Sequence, residues 1–364
     1  MNRRHITILL GLGLSVALLW WALRDVSVGE MLRHLRDADP WLLAAAVAAA
    51  TGTFVLRAFR WRLLLLPAFA TSSFRSRFSA VCVGFMANNL LPARLGEFAR
   101  AYTLSRNEPI GMSSAFASLV VERLLDGMVL VLFLLPGLSL AGFATDREPQ
   151  ILRHLFWVAT VIVLVGFLAL WLLVRFPERF LGVFRDVVHR LFPRAMADRA
   201  TGILVSFISG LGSLRHAHLF ARVLAWTVVV WLWNAFSFWL GFRAFGIHGP
   251  GIPGALLLQS VIGFAVSLPS SPGFFGPLEA GARLALDGFG VNPALIISFA
   301  AGYHITTFLP VTILGLWYVH RLGLTWSEVG HSEELVEAEV ERTAGEIESG
   351  SPGLGSGGRG GGGS

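Results

Sequence analysis

Long apolar runs dominate the chain, and several of them are as long as a membrane-spanning helix. The runs are continuous rather than alternating between apolar and polar positions, which disfavours a β-barrel. A helix needs about 20 consecutive apolar residues to cross a bilayer. The pattern predicts an all-α polytopic membrane protein with six spanning helices, over about 6–23, 41–57, 113–138, 151–174, 223–246 and 293–319.

Two shorter apolar segments, over about 78–92 and 252–268, are interrupted by proline. The first turns at Leu91-Pro92 and the second at Leu268-Pro269 and Ser271-Pro272-Gly273, and each continues into a second short helix. Broken backbone at membrane depth is tolerated only where protein or a water-filled cavity satisfies its polar groups. The segments are therefore predicted to be two re-entrant helical hairpins.

The two halves of the chain follow the same order of elements. Each half has two spans, a hairpin and a third span, so an odd number of spans gives the halves opposite orientations. Interrupted segments at matching places in two halves indicate a transporter's binding site. We expect one transmembrane domain over 1–324, with an inverted-topology repeat over about 6–138 and about 151–322.

Arginine in the loops predicts the orientation of the chain. The N-terminus and the segments 57–77 and 175–222 are rich in arginine, whereas 24–40 and 139–153 mix arginine with acidic residues. Both termini are then cytoplasmic, in a bacterial inner membrane, with the first hairpin on the cytoplasmic side and the second on the outer side. The first apolar run is expected to be retained, because no small-residue cleavage site follows it.

The segment between the halves and the C-terminal segment are polar. A connector over about 176–216 is predicted to form amphipathic helices with a basic face, either as an elbow joining the halves or as a surface that recruits anionic lipid. The segment 325–364 is acidic and then Gly/Ser-rich, and is expected to be a disordered cytoplasmic tail with one short helix over Glu333–Arg342.

Composition narrows the classes of function. The chain is 54% hydrophobic and 14% charged, with a net charge of +6 despite its acidic tail. The basic body suits anionic lipid headgroups, while nucleic acid is not expected because the arginines lie between spans. The single cysteine, Cys82, excludes internal disulfides. No cofactor, metal site or catalytic residue is expected, and a homo-oligomer is compatible with the sequence.

Charged residues inside apolar segments are the first candidate site, because burying them in a membrane is costly. They lie on the third span and on the second helix of the first hairpin: Arg94, Glu97, Arg100, Glu122, Arg123 and Asp126. Either they form a structural ion-pair network, with Glu97 facing Arg100, or the arginines also bind a phosphate headgroup. Both interpretations remain open at this point.

The second hairpin and the last span carry further candidates. Ser270, Ser271 and Gly273 would expose hydroxyls and backbone, and Glu279 and Arg283 form an i,i+4 pair.

Asn88 and Asn89 either satisfy broken backbone or contact a ligand. His304 either packs through hydrogen bonds or carries a proton.

Four motifs resemble the lysylphosphatidylglycerol synthase transmembrane-region family, which is also called flippase-like. They are Asn89-Leu-Leu-Pro-Ala-Arg-Leu-Gly-Glu-Phe-Ala-Arg100, Val121-Glu-Arg-Leu-Leu-Asp126, Pro269-Ser-Ser-Pro-Gly-Phe-Phe-Gly-Pro-Leu-Glu279 and Tyr303-His-Ile-Thr-Thr-Phe-Leu-Pro310. The resemblance covers roughly residues 5–322 and adds Tyr303 to the candidates. Two departures bear on the charge of the substrate: Phe274 and Phe275 stand where glycine is common, and His304 stands where arginine is common.

The resemblance implies a lipid flippase without the soluble synthase domain that is fused to the lysyl-lipid proteins, so aminoacyl transfer is not expected. The partner would be a membrane phospholipid or another anionic lipid, whose identity the sequence leaves open. One alternative is a non-transporting scaffold for a separately encoded lipid synthase. Another is a membrane-embedded lipid-modifying transferase, although Asp126-Gly127 lacks the later aspartates of an alcohol-phosphotransferase motif.

Overall fold

The computed structural model of the chain describes residues 3–66, 68–140, 176–194, 217–267 and 270–349, with isolated positions between 157 and 201. The predicted span over 151–174 and the second half of the connector therefore fall largely outside the described residues. The Gly/Ser-rich end of the chain also lies outside them.

The described residues up to 140 form helices joined by short loops and one 3-10 turn. In chain order the helices are α1 (Arg3–Leu23), α2 (Val28–Asp37), α3 (Pro40–Leu65), α4 (Phe74–Leu90), α5 (Gly96–Asn107) and α6 (Met112–Leu140). The 3-10 turn Pro92–Arg94 separates α4 from α5 at the predicted proline break.

The later part of the chain is also helical where it is described. Its helices are α7 (Pro177–Leu191), α8 (Ala217–Ala244), α9 (Gly251–Ala265), α10 (Pro277–Leu286), α11 (Pro293–Arg321), α12 (Trp326–Gly330) and α13 (Ser332–Ser349). Two 3-10 turns, Pro272–Phe274 and Asp287–Phe289, flank α10. No strand occurs among the described residues, so the predicted all-helical class is confirmed for them.

Local sequence explains where the long helices begin. Asp39 caps α3 by accepting hydrogen bonds from the backbone N–H groups of Trp41 and Leu42, at 2.8 and 3.0 Å. Asn292 caps α11 in the same way through the N–H of Ala294. Each cap is followed by proline at the first helical position, where its missing N–H costs nothing.

Three described helices are long and apolar enough to cross a membrane: α3, α8 from His218, and α11. Leu9–Leu23 of α1 and α2 would make a fourth span as a pair bent by 82°. These helices coincide with four of the six predicted spans. One more predicted span, 113–138, coincides with α6, which carries charged residues at its centre. The total of six spanning helices stays a prediction.

The helices pack in matched pairs around several apolar cores, of which two are the largest. α3 lies along α8, α4 packs on α11, and α9 packs on α6. One core surrounds Phe242 and Phe299, and the other surrounds Trp61 and Leu125, all of them buried. Close approach of α4 to α11 depends on Gly315, where an added Cβ would lie 2.6 Å from the carbonyl oxygen of Cys82.

The segment after Thr325 differs from the expected disordered tail. α12 and α13 fold back onto α5, and α13 also packs on α6. Val329 and Val336 are fully buried, and Tyr102 donates a hydrogen bond from its hydroxyl to Glu328 at 2.9 Å. The short helix expected over Glu333–Arg342 lies within the longer α13. Val336 and Val340 are one helical turn apart and so form an apolar face of α13. The acidic residues around them made this face hard to recognise in the sequence.

We predict that Gly315→Ala destabilises the protein by about 1–3 kcal/mol, because the added methyl group forces α4 and α11 apart. Thermal unfolding in detergent measures the loss. Gly127→Ala in α6 is the matched control, because an added Cβ there meets no atom within 4 Å. Equal melting temperatures for the two variants would contradict the close approach of α4 and α11.

Docking of α12 and α13 should weaken in acid. Hydrogen bonds from the Thr325 N–H and the Tyr102 hydroxyl lower the pKa of Glu328 from its usual value. A carboxyl group with a lowered pKa stabilises the folded state at pH values above its ordinary pKa of about 4.3. This stabilisation is lost as the pH falls through the lowered pKa. The protection factors of the Val329 and Val336 amides, which are corrected for the intrinsic exchange rate at each pH, should fall in that range, and Glu328→Gln should show less pH dependence. Unchanged protection factors in wild-type protein would contradict the prediction.

Candidate functional site

Two carboxylates are buried in the centre of α6. Glu122 is 0% exposed and Asp126 is 3% exposed, and they lie on one face because they are four residues apart. Charges removed from water need partners, since an unpaired buried charge is very costly. Both carboxylates therefore require cations from neighbouring helices.

α3 supplies two of those cations, Arg57 and Arg60. Arg60 Nη2 lies 3.0 Å from Glu122 Oε1, and Arg60 Nη1 also pairs with Asp126. Arg57 Nη1 lies 3.4 Å from Asp126 Oδ2. Trp231 of α8 donates its indole N–H to Asp126 at 2.9 Å. The carboxylates of α6 thus hold both α3 and α8 against α6.

Sequence reasoning missed the role of Arg57 and Arg60. It counted them as loop arginines in the segment 57–77, but α3 continues to Leu65 and buries both side chains. Arg77 is also buried and donates to the carbonyl oxygens of Ala58 and Ser72. A usable signal was present, because Arg57 and Arg60 are three apart in an apolar helix and share a face.

α5 contributes Arg100, which is 2% exposed. Its Nη1 and Nη2 donate to the two oxygens of Glu122 at 2.8 and 3.3 Å, in a bidentate pair. The guanidinium lies 4.4 Å from the ring centre of Trp61. The expected pairing of Glu97 with Arg100 is wrong: Arg100 faces Glu122, and Glu97 faces Arg123 at 3.7 Å.

Arg123 is the most exposed cation of this network. Its side chain is 37% exposed, while its Nη2 lies 3.2 Å from Glu122 Oε1 and 3.7 Å from Asp126 Oδ2. The network joins four guanidiniums, of Arg57, Arg60, Arg100 and Arg123, to the three carboxylates of Glu97, Glu122 and Asp126. The network therefore carries one net positive charge. Arg123 forms its accessible edge.

The two proline breaks meet beside this edge. Arg94 donates from Nη1 to the carbonyl oxygen of Ser267 at 2.8 Å, and its guanidinium lies 5.8 Å from the ring centre of Phe274. Arg94 and Phe274 both have positive φ, 56° and 62°, which is strained for residues other than glycine. The positive charge of Arg94 is attracted by Glu97 and repelled by Arg123.

The asparagines of α4 have different roles. Asn88 accepts a hydrogen bond from the N–H of Gly96 at 2.8 Å, so it satisfies the broken backbone as predicted. Asn89 donates to the Thr312 hydroxyl at 2.8 Å and so links α4 to α11.

The second break is held by the buried pair of His304 and Glu279. His304 Nδ1 lies 2.9 Å from Glu279 Oε1, and Nε2 lies 2.8 Å from the carbonyl oxygen of Gly273. The other oxygen of Glu279 accepts from the N–H of Gly276 at 2.6 Å. The expected Glu279–Arg283 pair is wrong, because Arg283 Nη2 bonds to Asp25 at 2.9 Å instead.

The remaining candidates serve packing around the second break. The N–H of Ser271 donates to Ser15 of α1 at 2.8 Å, whereas the buried hydroxyl oxygen of Ser270 has no partner. Arg283 also donates to the carbonyl oxygen of Ala22 at 2.6 Å and thereby holds the end of α1. Tyr303 bonds to Ser237 at 2.7 Å within a core.

The predicted site residues therefore fall into separate groups. Glu97, Arg100, Glu122, Arg123 and Asp126 form one network, while Gly273, Glu279 and His304 form another. Arg94 joins the two breaks. Asn89, Arg283 and Tyr303 bond to none of these residues and instead connect helices.

Residues 8–315 match the family model described as the lysylphosphatidylglycerol synthase TM region. The glycosyltransferase AglD of Haloferax volcanii is 28% identical over 86% of this chain, and the chain spans only 54% of that protein. UPF0104 membrane proteins of Methanothermobacter thermautotrophicus and Pyrococcus horikoshii are 26% and 22% identical. The matches cover 83% and 86% of this chain, and 92% and 95% of those proteins. No solved structure matches the chain.

Glu122→Gln should destabilise the protein by about 3–5 kcal/mol, because Arg60 and Arg100 lose a buried partner. Thermal unfolding and the yield of monodisperse protein measure the effect. Glu30→Gln is the control, since Glu30 pairs with Arg33 at 3.7 Å on an exposed surface and such pairs contribute little. A melting temperature of Glu122→Gln as high as that of Glu30→Gln would contradict the structural role of the network.

Proposed function

The chain belongs to the lysylphosphatidylglycerol synthase transmembrane-region family, and on that premise we propose that it moves a phosphate-bearing lipid between the leaflets of a membrane. The resemblance read from its motifs is thereby confirmed, and membership makes it an integral membrane protein. The transport activity, the lipid and the direction belong to the proposal.

The observation that carries the proposal is the placement of Arg94 and Arg123. Both guanidiniums are partly exposed, their like charges are close enough to repel each other, and they lie where the proline breaks meet. α5 begins two residues after Arg94, and the N-terminus of a helix favours anions. A phosphate headgroup would find two arginines and the N-terminal end of α5 there, with the net positive charge of the network behind them.

Arg100 has a different role from the one first expected. It was a candidate phosphate ligand, but it is 2% exposed and both of its terminal nitrogens bond to Glu122. We assign Arg100, Arg57 and Arg60 to holding Glu122 and Asp126. Arg94 and Arg123 are then the headgroup ligands.

The pairing of helices supports an inverted-topology repeat. α3, α4, α5 and α6 correspond in order to α8, α9, α10 and α11, and α6 and α11 each contain 29 residues. α4 packs on α11 just as α9 packs on α6, which is the exchange a two-fold relation requires. Rocking of such halves around a fixed site would expose it to each leaflet in turn.

We also propose that both termini are cytoplasmic. The burial of Arg57, Arg60 and Arg77 removes three arginines from the count for the segment 57–77. The orientation now depends mainly on the N-terminus and the segment 175–222. The bacterial inner membrane remains a prediction, and the relatives named above come from archaea.

One alternative has a specific observation in its favour. A relative is named a glycosyltransferase, although the match spans 54% of it. The alternative is that the membrane region serves as a scaffold for a lipid-modifying enzyme, or modifies lipid itself, without moving it. Purified protein in vesicles distinguishes these cases, since only a flippase moves lipid in the absence of other proteins.

Arg123→Ala and Arg94→Ala should each lower lipid movement at least about tenfold, because each removes a charge-assisted contact with the headgroup. The measurement uses proteoliposomes with fluorescent phosphatidylglycerol and a membrane-impermeant quencher. Arg33→Ala is the control, because Arg33 is 72% exposed on α2.

Equal rates for wild type and both variants, with folded yield retained, would contradict the assignment of the headgroup ligands. Failure of wild-type protein to move phosphatidylglycerol or fluorescent phosphatidylethanolamine would favour the scaffold.

A further inference from the structure

His304 is buried with both ring nitrogens against acceptors. Nδ1 faces the Glu279 carboxylate at 2.9 Å, and Nε2 faces the carbonyl oxygen of Gly273 at 2.8 Å. The side chain is 7% exposed. Neither partner can donate to the ring if Glu279 is ionised.

The protonation state of the ring follows from this geometry. A neutral imidazole has one N–H and one lone pair, whereas an imidazolium has two N–H donors. With Glu279 ionised, only the imidazolium satisfies Glu279 and Gly273 together. A neutral ring would direct its lone pair at one of these oxygens, and such an unsatisfied contact is costly when buried.

Glu279 is the charged group that faces His304. The rings of Phe275 and Phe308 cover it, with centroids 4.6 and 6.4 Å away. Most charged groups on α2, α3, α4, α8 and α10, the helices packed against α11, have other partners: Glu30 with Arg33, Arg57 and Arg60 with the α6 carboxylates, Arg77 with backbone oxygens, Arg243 with His248, and Arg283 with Asp25. The others on these helices, Arg36, Asp37, Arg62, Arg75 and Arg222, make no ion pair or hydrogen bond with His304, whose ring nitrogens face Glu279 and Gly273.

The pair controls the shape of the second break. The turn from Ser271 to Gly276 has positive φ at Gly273, Phe274 and Gly276, so its backbone is not held by regular helical hydrogen bonds. His304 holds the carbonyl of Gly273, and Glu279 holds the N–H of Gly276. Phe274, between them, lies against Arg94. Loss of the His304 bond would release the residue that touches the proposed headgroup ligand.

We propose that Glu279 and His304 form a proton-binding site that holds the Ser271–Gly276 turn closed against Arg94. One proton from water adds to the neutral ring, giving an imidazolium beside the carboxylate, and its departure opens the turn. Low pH therefore closes the break and high pH releases it. This inference rests on the proposed function only for its consequence, which is that the protonation of this pair would control lipid movement.

Proton occupancy can be measured without any lipid transport. The signal of His304 is the difference between the 15N-histidine NMR spectra of wild type and His304→Gln in nanodiscs. We expect two protonated ring nitrogens at about pH 6 in wild type, and a larger fraction of neutral ring at the same pH in Glu279→Gln, because that variant lacks the carboxylate that accepts from Nδ1. A neutral ring in wild type at about pH 6, or a Glu279→Gln spectrum with the ring as fully protonated as in wild type, would overturn the proposal.

Opening of the turn is tested by thiol accessibility at Ser270→Cys. The native Cys82 is buried and gives no background, and Ser327→Cys on the exposed α12 corrects for the reactivity of the thiol itself. The ratio of labelling rates should rise about tenfold from about pH 6 to pH 9 with His304 present, and stay flat with His304→Gln. A flat ratio with His304 present, or a rise that persists in His304→Gln, would overturn the coupling to the turn.

These readouts are independent of the vesicle assay. If the protein moves no lipid but shows the protonated His304 and the opening of the turn, only the proposed function is contradicted. If it moves lipid and shows neither property, only this inference is contradicted.

Discussion

The architecture depends on two carboxylates that α6 buries in the interior of the protein. Glu122 and Asp126 require cations and hydrogen-bond donors, and these come from α3, α5 and α8. A buried ion network of this kind contributes little net stability, but removal of one member is expensive. Its effect is geometric, because it fixes three helices around α6 and leaves Arg123 as the exposed positive edge.

The position of Arg123 matters because the two proline breaks lie beside it. Interrupted helices are tolerated where side chains satisfy the freed backbone, and here Asn88 serves Gly96 while Glu279 serves Gly276. The breaks meet through Arg94, which bonds to Ser267. The first break thus offers cations and the second offers a turn held by His304. A site made of two such parts can bind a headgroup and also respond to a proton.

The helices were predictable from the sequence, but several of their partners were not. Apolar runs and prolines located α1, α3, α8, α11 and the breaks, because period and backbone chemistry are local properties. Pairings depend on which helices meet, so Glu97 and Glu279 were assigned to arginines on their own helices. Arg57 and Arg60 were counted in a loop because α3 runs beyond its apolar stretch, and the buried valines of α12 and α13 were hidden among acidic residues.

The most direct test of the central claim is mass spectrometry of lipids that co-purify with the gently extracted protein, wild type against the Arg94→Ala/Arg123→Ala double variant. The account predicts one phosphate-bearing lipid class enriched over the bulk membrane with wild type and lost with the variant. The same bulk lipid profile with both proteins would contradict a headgroup site at the meeting of the breaks, and would leave the arginines a structural role.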